Sequence, residues 1–294
     1  MPNNKVITIP GWLPKPLRKP MLDVLRKQTI LDYYNSLEPH KISEDEHKAL
    51  TYIRRKGIQV FPYSFQDNYK KSEIEVFTDA DNGLKYILEN NRRLYFKRKS
   101  SKRGVRRNYN ALRIEQDKKS AHRYLTPSFD VNEGDILVDV GAAEGNLPLS
   151  VIHKLKKVYL FETDPNWIEA LQATFAPWKD KVEIVNKFVS NVNNDTHVSL
   201  DEFFKDREVF SFLKVDAEGA EASILEGTQH ILKSKNALKI VMATYHKPND
   251  ADEFELFFKQ YHFKSEFSDG FMIFPELKTF YPPYLRKGLI RAIR

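Results

Sequence analysis

Two clusters of side chains in this 294-residue chain can move a proton or hold a charged ligand. One is Asp139-Val-Gly141-Ala-Ala143-Glu144-Gly145. The other is Lys214-Val-Asp216-Ala-Glu218-Gly-Ala-Glu221, joined further on by Thr244-Tyr245-His246. A carboxylate and an imidazole brought to one edge can align a hydroxyl and take its proton, because an unperturbed histidine titrates near neutral pH. Asp216, Glu218, Glu221 and His246 also form an oxygen-rich set of the kind that suits magnesium or manganese. Plainer roles stand beside these. Asp is a favoured helix N-cap, and acids in the first helical turn are stabilised by the helix dipole.

The first cluster follows Ile136, Leu137, Val138 and Val140, an apolar run of the buried parallel-strand type. Behind it Leu147, Leu149, Val151, Ile152 and Leu155 recur at helical spacing. Strand, small-residue loop and helix make the nucleotide-binding turn of a doubly wound sheet. A dinucleotide loop would place glycines at 141, 143 and 146, and only Gly141 is present. Glu144 stands where a pyrophosphate would approach the helix N-terminus. A carboxylate there repels phosphate and suits a ligand carrying a sulfonium and an ammonium. The spacing Asp139-x-Gly141-x-Ala143-x-Gly145 fits the S-adenosylmethionine loop of class I methyltransferases, with Glu144 as a further contact.

The elements that position these groups alternate regularly. Val158 to Phe161 reads as the second strand, and Glu162 ends it at the distance where a carboxylate accepts hydrogen bonds from ribose hydroxyls. Asp164-Pro165 competes for that role but reads as an N-cap followed by proline at the first helical position. Val182 to Val185 is the third strand, and Asn186 opens the loop expected near the adenine. Phe212 to Val215 is the fourth, ending in Asp216 beside the expected methyl position. A helix follows over Ala222 to Leu232, then a fifth strand over Leu238 to Ala243 and a helix over Phe254 to Tyr261. Phe263 to Phe267 and Phe271 to Phe274 flank Ser268-Asp269-Gly270 as an antiparallel hairpin. The expectation is an α/β fold: a Rossmann-like, mostly parallel seven-stranded sheet closed by an antiparallel hairpin.

The front of the chain reads as a small α+β cap. Its first twenty residues, broken up by Pro10, Pro14, Pro16 and Pro20, read as extended, and Met21 to Leu37 as a helix. Ser43-Glu-Asp-Glu46 is a capping box for a helix ending near Gly57. Ile58 to Phe61, Glu73 to Phe77 and Leu94 to Phe96 read as strands, and Gly83 to Leu88 as a helix. Arg92 to Arg107 is strongly basic and reads as a solvated linker, as a nucleic-acid contact, or as a source of arginines for an anionic sugar. Tyr109 to Tyr124 then leads into the core, where it can reach the amino-acid end of the cofactor. Two parts are therefore expected, residues 1–108 as cap and basic linker and residues 109–294 as the binding domain with a basic C-terminal tail.

Composition narrows the classes. There is no cysteine, hence no disulfide framework and no thiolate site. No apolar run is long enough to span a membrane, and the N-terminus lacks the apolar core of a signal peptide. A soluble cytoplasmic protein is expected. The formal charge of +7 favours polyanionic partners or a membrane surface. Arg286, Lys287, Arg291 and Arg294 among Leu285, Leu289, Ile290 and Ile293 read as a tail able to touch an anionic membrane or close a protein interface.

The chain resembles the FkbM-type methyltransferases in Asp-Val-Gly-Ala-Ala-Glu-Gly at 139–145, Phe-Glu at 161–162 and Leu-Asp at 200–201. Lys-Val-Asp-Ala-Glu-Gly-Ala-Glu at 214–221 and Glu-Gly at 226–227 complete the likeness, which spans about 110 to 275. Many members have Asn where Glu144 stands. The resemblance implies a class I fold, S-adenosylmethionine as donor, and methylation of a hydroxyl on a natural product or carbohydrate. Asp216 and His246 are then the catalytic candidates, and Glu218, Tyr245 and Arg123 the candidates to touch the acceptor. Three readings compete. The first is a sugar or glycan O-methyltransferase, such as one serving a surface polysaccharide. The second is an RNA or DNA methyltransferase using the 92–107 run, although Tyr281-Pro-Pro-Tyr284 lies in the wrong place for a base-methylating motif. The third is a scaffold on the same fold without activity.

Overall fold

The computed structural model describes residues 15–234, 236–275 and 280–294. Its front begins with α1 (Lys15–Asn35), which contains Pro20. Six of the residues expected to be extended are thus helical, because a proline in or near the first turn removes few needed N–H donors. The rest of that stretch lies outside the described residues. α2 (Glu44–Lys56) starts as expected. The Ser43 N–H donates to the Glu46 carboxylate at 2.8 Å, and the Glu46 N–H returns a bond to the Ser43 hydroxyl at 3.3 Å.

Three short strands follow, β1 (Phe77–Thr78), β2 (Lys85–Glu89) and β3 (Arg92–Phe96), in one antiparallel sheet. The helix expected over Gly83 to Leu88 is therefore β2. Asn90 and Asn91 both take positive φ, 49° and 62°, and make the two-residue turn that folds β2 onto β3. Ile58 to Phe61 forms no strand, and of Glu73 to Phe77 only the last residue does. The supposed linker of Arg92 to Arg107 is mostly structure. It contains β3 and the start of α3 (Lys102–Glu115), whose N-cap is Ser101. Position 108 falls inside α3, which runs unbroken from cap to core.

The core alternates β4 (Ile136–Val140), α4 (Asn146–Val151), β5 (Lys157–Phe161), α5 (Pro165–Phe175) and β6 (Val182–Val185). After the short pair β7 (Phe188–Val189) and β8 (His197–Val198) come α6 (Leu200–Phe203), β9 (Phe212–Val215), α7 (Glu221–Glu226) and α8 (Gln229–Lys233). The chain closes with β10 (Lys239–Ala243), α9 (Asp250–Gln260), β11 (Lys264–Phe267) and β12 (Leu289–Ile293). One helix was expected where α7 and α8 stand. It breaks at Gly227, where a Cβ would lie 2.1 Å from the Ser190 carbonyl oxygen.

The strand order is β11-β12-β10-β9-β4-β5-β6, and β12 runs antiparallel to both of its neighbours. This is the class I methyltransferase arrangement. Its final antiparallel pair exists, but the partner of β11 is not Phe271 to Phe274. It is the basic tail, threaded between β11 and β10. Leu289, Ile290 and Ala292 are fully buried, so this segment has no apolar face left for a membrane. Arg291 is buried too, because its guanidinium donates to the carbonyls of Tyr124 and Arg123 at 3.2 and 2.5 Å.

The cap is packed onto this core in several places, with Ile74, Val76, Leu94 and Phe96 in one cluster with Leu147, Leu149 and Leu171. Ile30, Tyr34, Leu50 and Ile53 share a cluster with Phe271, Ile273, Tyr284 and Leu285 from the β11–β12 connection. Leu84 and Tyr95 pack on Ala170 of α5, and the Tyr95 N–H donates to the Thr174 hydroxyl at 3.1 Å.

Candidate functional site

A cavity of about 430 Å³ opens at the C-terminal ends of β4, β5 and β9, where ligands bind in open α/β sheets. Gly141, Ala143, Glu144, Glu162, Asp216 and Glu218 line it, as expected from sequence. Gly141 has φ +76°, and a Cβ there would lie 2.0 Å from the Asp216 carbonyl oxygen. Only glycine lets the β4 loop approach the end of β9 this closely. Ala143 and Glu218 hold φ of 46° and 52°, so both loops facing the cavity carry left-handed, non-glycine residues.

Glu162 secures the loop. One carboxylate oxygen accepts the Ala143 N–H at 2.9 Å, and the other accepts those of Thr163 and Asp164 at 2.7 and 2.8 Å. Asp164 caps α5, as its sequence context indicated, and pairs with Lys97 at 2.5 Å. Asp139 does not line the cavity. It sits beneath the loop, 2.8 Å from Lys214 Nζ, and that ammonium also donates to the Gly141 carbonyl at 2.7 Å. Burial opposes the charge on Lys214, but Asp139 and Asp216 beside it outweigh burial and raise its pKa. Gly145 and Asn186 also lie off the cavity wall. Gly145 packs against Leu171 and Phe175, and the wall beyond β6 is made by the next residues, Lys187, Phe188 and Val189.

The cavity collects carboxylates. Glu115, from the last turn of α3, faces it together with Glu144. Burial, and next the charge of Glu115, pushes the Glu144 carboxyl up to about 8, while burial raises Glu115. Phe161, Trp167 and Phe188 supply the aromatic part of the lining. Sequence reasoning named the 109–124 segment, Glu115 and Tyr124 included, as able to reach the cofactor but made neither a site candidate. It missed Trp167 and Phe188, whose only sequence signal is position, just after Asp164-Pro165 and just after Asn186.

Asp216 is the hub. Tyr124 donates to its Oδ2 and Tyr245 to its Oδ1, both at 3.0 Å, and His122 Nε2 lies 3.2 Å from Oδ2. Burial would raise this carboxyl, but the His122 hydrogen bond and the charges of Lys214 and His246 hold it far below the ordinary range. His246 stands one layer behind and does not line the cavity. Its side chain is 4% exposed, with Nδ1 3.0 Å from Glu221 Oε1 and Nε2 3.7 Å from Asp216 Oδ1. Burial alone would lower its pKa, yet the bond and charge of Glu221 raise it above the ordinary histidine value. Arg123 is likewise absent from the lining, where its backbone carbonyl serves Arg291.

Ligand atoms of Asp216, Glu221 and His246 lie within 4.8 Å of one another and can hold a divalent cation. Glu218 differs from these three, since its side chain is 88% exposed at the cavity mouth. In the structure His246 Nδ1 approaches Glu221 Oε1 at 3.0 Å, and Glu221 also accepts the Ala217 N–H at 2.9 Å.

The family model described as Methyltransferase FkbM domain matches residues 187–265. Among solved structures, the methyltransferase FkbM from Methylobacillus flagellatus KT is 15% identical, over 56% of this chain and 44% of that one, with a TM-score of 0.43. The present chain thus matches less than half of that protein's length. An rRNA methylase from Streptococcus thermophilus is 17% identical over 56% of this chain and 89% of its own, with a TM-score of 0.38. A precorrin-6y C5,15-methyltransferase from Geobacter metallireducens GS-15 is 12% identical over 56% and 83%, with a TM-score of 0.38. No protein of curated function matches the chain. Residues 187–265, which carry Asp216, Glu221 and His246, are thus the part of this chain that matches the FkbM methyltransferase domain.

Proposed function

We propose that the protein is an O-methyltransferase that uses S-adenosylmethionine to methylate a hydroxyl of a sugar, glycan or related natural product. The observation that carries this reading is an acidic, aromatic-walled cavity in a protein of net charge +7, with Asp216 at its edge. Glu115, Glu144, Glu162 and Asp216 all face it, whereas Lys214 is spent on Asp139 and Lys97 on Asp164. Such a lining fits a ligand with a sulfonium, an ammonium and an adenine ring.

The bound donor supplies an electrophilic methyl group, and the protein's task is alignment. Glu144 and Glu115 are placed to hold the cationic amino-acid end. Glu162 is placed to take the ribose, and Phe161, Trp167 and Phe188 to flank the base. Asp216, ionised and fixed by two tyrosines, accepts a hydrogen bond from the acceptor's hydroxyl and orients its oxygen toward the methyl carbon, and the hydroxyl proton passes to solvent as the oxygen takes the methyl group. Tyr124, Tyr245, His122 and His246 are positioning residues that keep the carboxylate charged and still. The buried His246–Glu221 pair fixes the loop that carries Asp216.

The nucleic-acid reading loses support from the same coordinates. Within the basic run, Arg92 and Arg106 bond backbone carbonyls, while Arg93, Lys97 and Arg98 pair with Asp79, Asp164 and Glu169. Tyr284, from the Tyr-Pro-Pro-Tyr sequence, packs edge-on against Tyr33 of the cap. No helix among the described residues is long and apolar enough to cross a membrane.

A transfer assay with labelled donor against nucleotide sugars, lipid-linked glycans and RNA, with and without magnesium or manganese, tests the reading. Alkali-stable label on a saccharide is the expected result. Label on RNA alone, or no binding of S-adenosylmethionine at all, refutes it.

A further inference from the structure

A second cavity, of about 690 Å³, lies between α2 of the cap and two loops of the core, the turn after α3 and the turn after β11. Tyr52, Tyr63 and Phe65 supply its aromatic wall. Tyr52 directs its hydroxyl to Asp67 at 3.0 Å, and Tyr63 takes the Phe271 N–H on its own at 3.0 Å, so these polar ends are already engaged. Arg55 on α2 and the neighbouring Lys118 and Lys119 line the same cavity. Two of its three carboxylates are paired, Asp45 with Lys48 at 3.2 Å and Asp67 with Lys56 at 3.5 Å, which leaves Asp269. No salt bridge is formed by Arg55, Lys118 or Lys119 among the described residues, so three cations face one remaining carboxylate.

We propose that this groove binds an anionic saccharide, a chain whose rings lie on the tyrosines while its carboxylate or phosphate groups meet Arg55, Lys118 and Lys119. Aromatic faces suit the C–H surfaces of sugar rings, and charge-assisted bonds to exposed cations select acidic substituents. Its size is that of a small-ligand site, which spans about 300–1,000 Å³. A single-stranded nucleic acid would instead need a continuous basic track, and the cations at 102–107 do not line this cavity. A ring path joins the groove to the core. Phe65 packs 6.3 Å from Phe61, Phe61 packs 6.5 Å from His122, and His122 bonds Asp216. On this proposal the groove holds a remote part of the acceptor, an assignment that rests on the glycan reading above and narrows it to acidic glycans.

Calorimetric titration of the full chain with trigalacturonate, with maltotriose as the neutral control, tests this. Trigalacturonate should bind, maltotriose should bind more weakly, and Arg55→Ala/Lys118→Ala/Lys119→Ala should weaken trigalacturonate about tenfold or more. S-adenosylmethionine should bind that variant and the parent equally. Equal binding of trigalacturonate to both proteins, or none to the parent, overturns the assignment. So does a hexauridylate that binds the parent more tightly than trigalacturonate and is lost in the variant. Loss of S-adenosylmethionine binding to the parent would instead count against the reading of the core, leaving the groove result intact.

Discussion

The carbonyl oxygen of Asp216 sits 2.0 Å from the point where a Cβ on Gly141 would stand. The first and fourth core strands thus meet at their C-terminal ends through bare backbone, which places the donor loop and the candidate catalytic carboxylate on one rigid edge. Gly141→Ala must both leave a left-handed φ of +76° and push the β9 loop aside. We expect a loss of about 2 kcal/mol or more, since strained backbone alone costs roughly 1–3. Thermal melting and calorimetry with S-adenosylmethionine read the two effects. An unchanged melting temperature with unchanged affinity would contradict the contact.

Asp216→Asn keeps the shape but removes the charge that Tyr124, Tyr245 and His122 surround. If this carboxylate orients the acceptor, turnover should fall by about a hundredfold or more, the usual scale for a positioned proton acceptor. Far-ultraviolet circular dichroism should stay that of the parent. Tyr245→Phe should lose less, because Tyr124 still donates to the other oxygen. Full turnover in Asp216→Asn on the true acceptor would end the assignment.

How much of this could be read from the chain is clear at particular residues. The core was legible because β4, β9 and β10 are buried on both faces and appear as apolar runs interrupted only by single residues such as Asp139 and Lys214, and because Asp164 and Ser43 announce their helices. The cap sheet was not. Lys85–Glu89 mixes charged and apolar residues, and its decisive signal, two asparagines in a tight turn, is local and weak. Leu289–Ile293 was misread for a different reason. Arg291, with Arg286 and Arg294 on either side of the strand, looked like a surface feature, and only the fold shows that it reaches the carbonyls of Arg123 and Tyr124. At the site, loop residues follow from spacing, whereas Glu115 and Trp167 arrive from elements whose docking no local pattern records.

Because β12 is an interior strand, deleting residues 289–294 should unfold the core. The deletion leaves β10 and β11 with unpaired edges and removes the ties to Arg123 and Tyr124. We expect loss of the cooperative melt and of S-adenosylmethionine binding together. A truncated protein that still melts cooperatively and binds the donor would show that the strand is dispensable.

The His246–Glu221 pair sets a pH window. The raised pKa of His246 contributes stability that is fully present below the unfolded value of 6.5 and lost as pH rises through the folded value. Glu221 is lowered, because its bond to His246 outweighs burial. Its contribution is present above the unfolded 4.5 and lost as pH falls through the folded value. His246→Gln should therefore destabilise most between those limits, by about 3 kcal/mol for a broken buried pair. The difference in melting temperature from the parent should shrink toward pH 9. A difference independent of pH would mean that the ring is not protonated in the fold.

Chelation should not abolish turnover. Both oxygens of Asp216 accept tyrosine hydroxyls, and Nδ1 of His246 lies against Glu221, so hydrogen bonds already orient the carboxylate. Activity after dialysis against EDTA should match the untreated protein. A loss restored by magnesium or manganese would assign Asp216, Glu221 and His246 as ligands.

Donor binding should release a proton. With its carboxyl pushed up to about 8, Glu144 is largely protonated at pH 7, first because it is buried and then because Glu115 repels a second charge. A cationic ligand beside it favours the ionised form, so the proton must leave as the ligand enters. Affinity for S-adenosylmethionine should rise from pH 6 toward pH 8 and level off above. At pH 7 the calorimetric enthalpy should differ between phosphate and Tris in proportion to their ionisation heats. Glu144→Gln should remove most of that difference while still binding the donor, with Glu115 responsible for any remainder. Equal enthalpies in the two buffers for the parent protein would show that these carboxylates are already ionised before the ligand arrives.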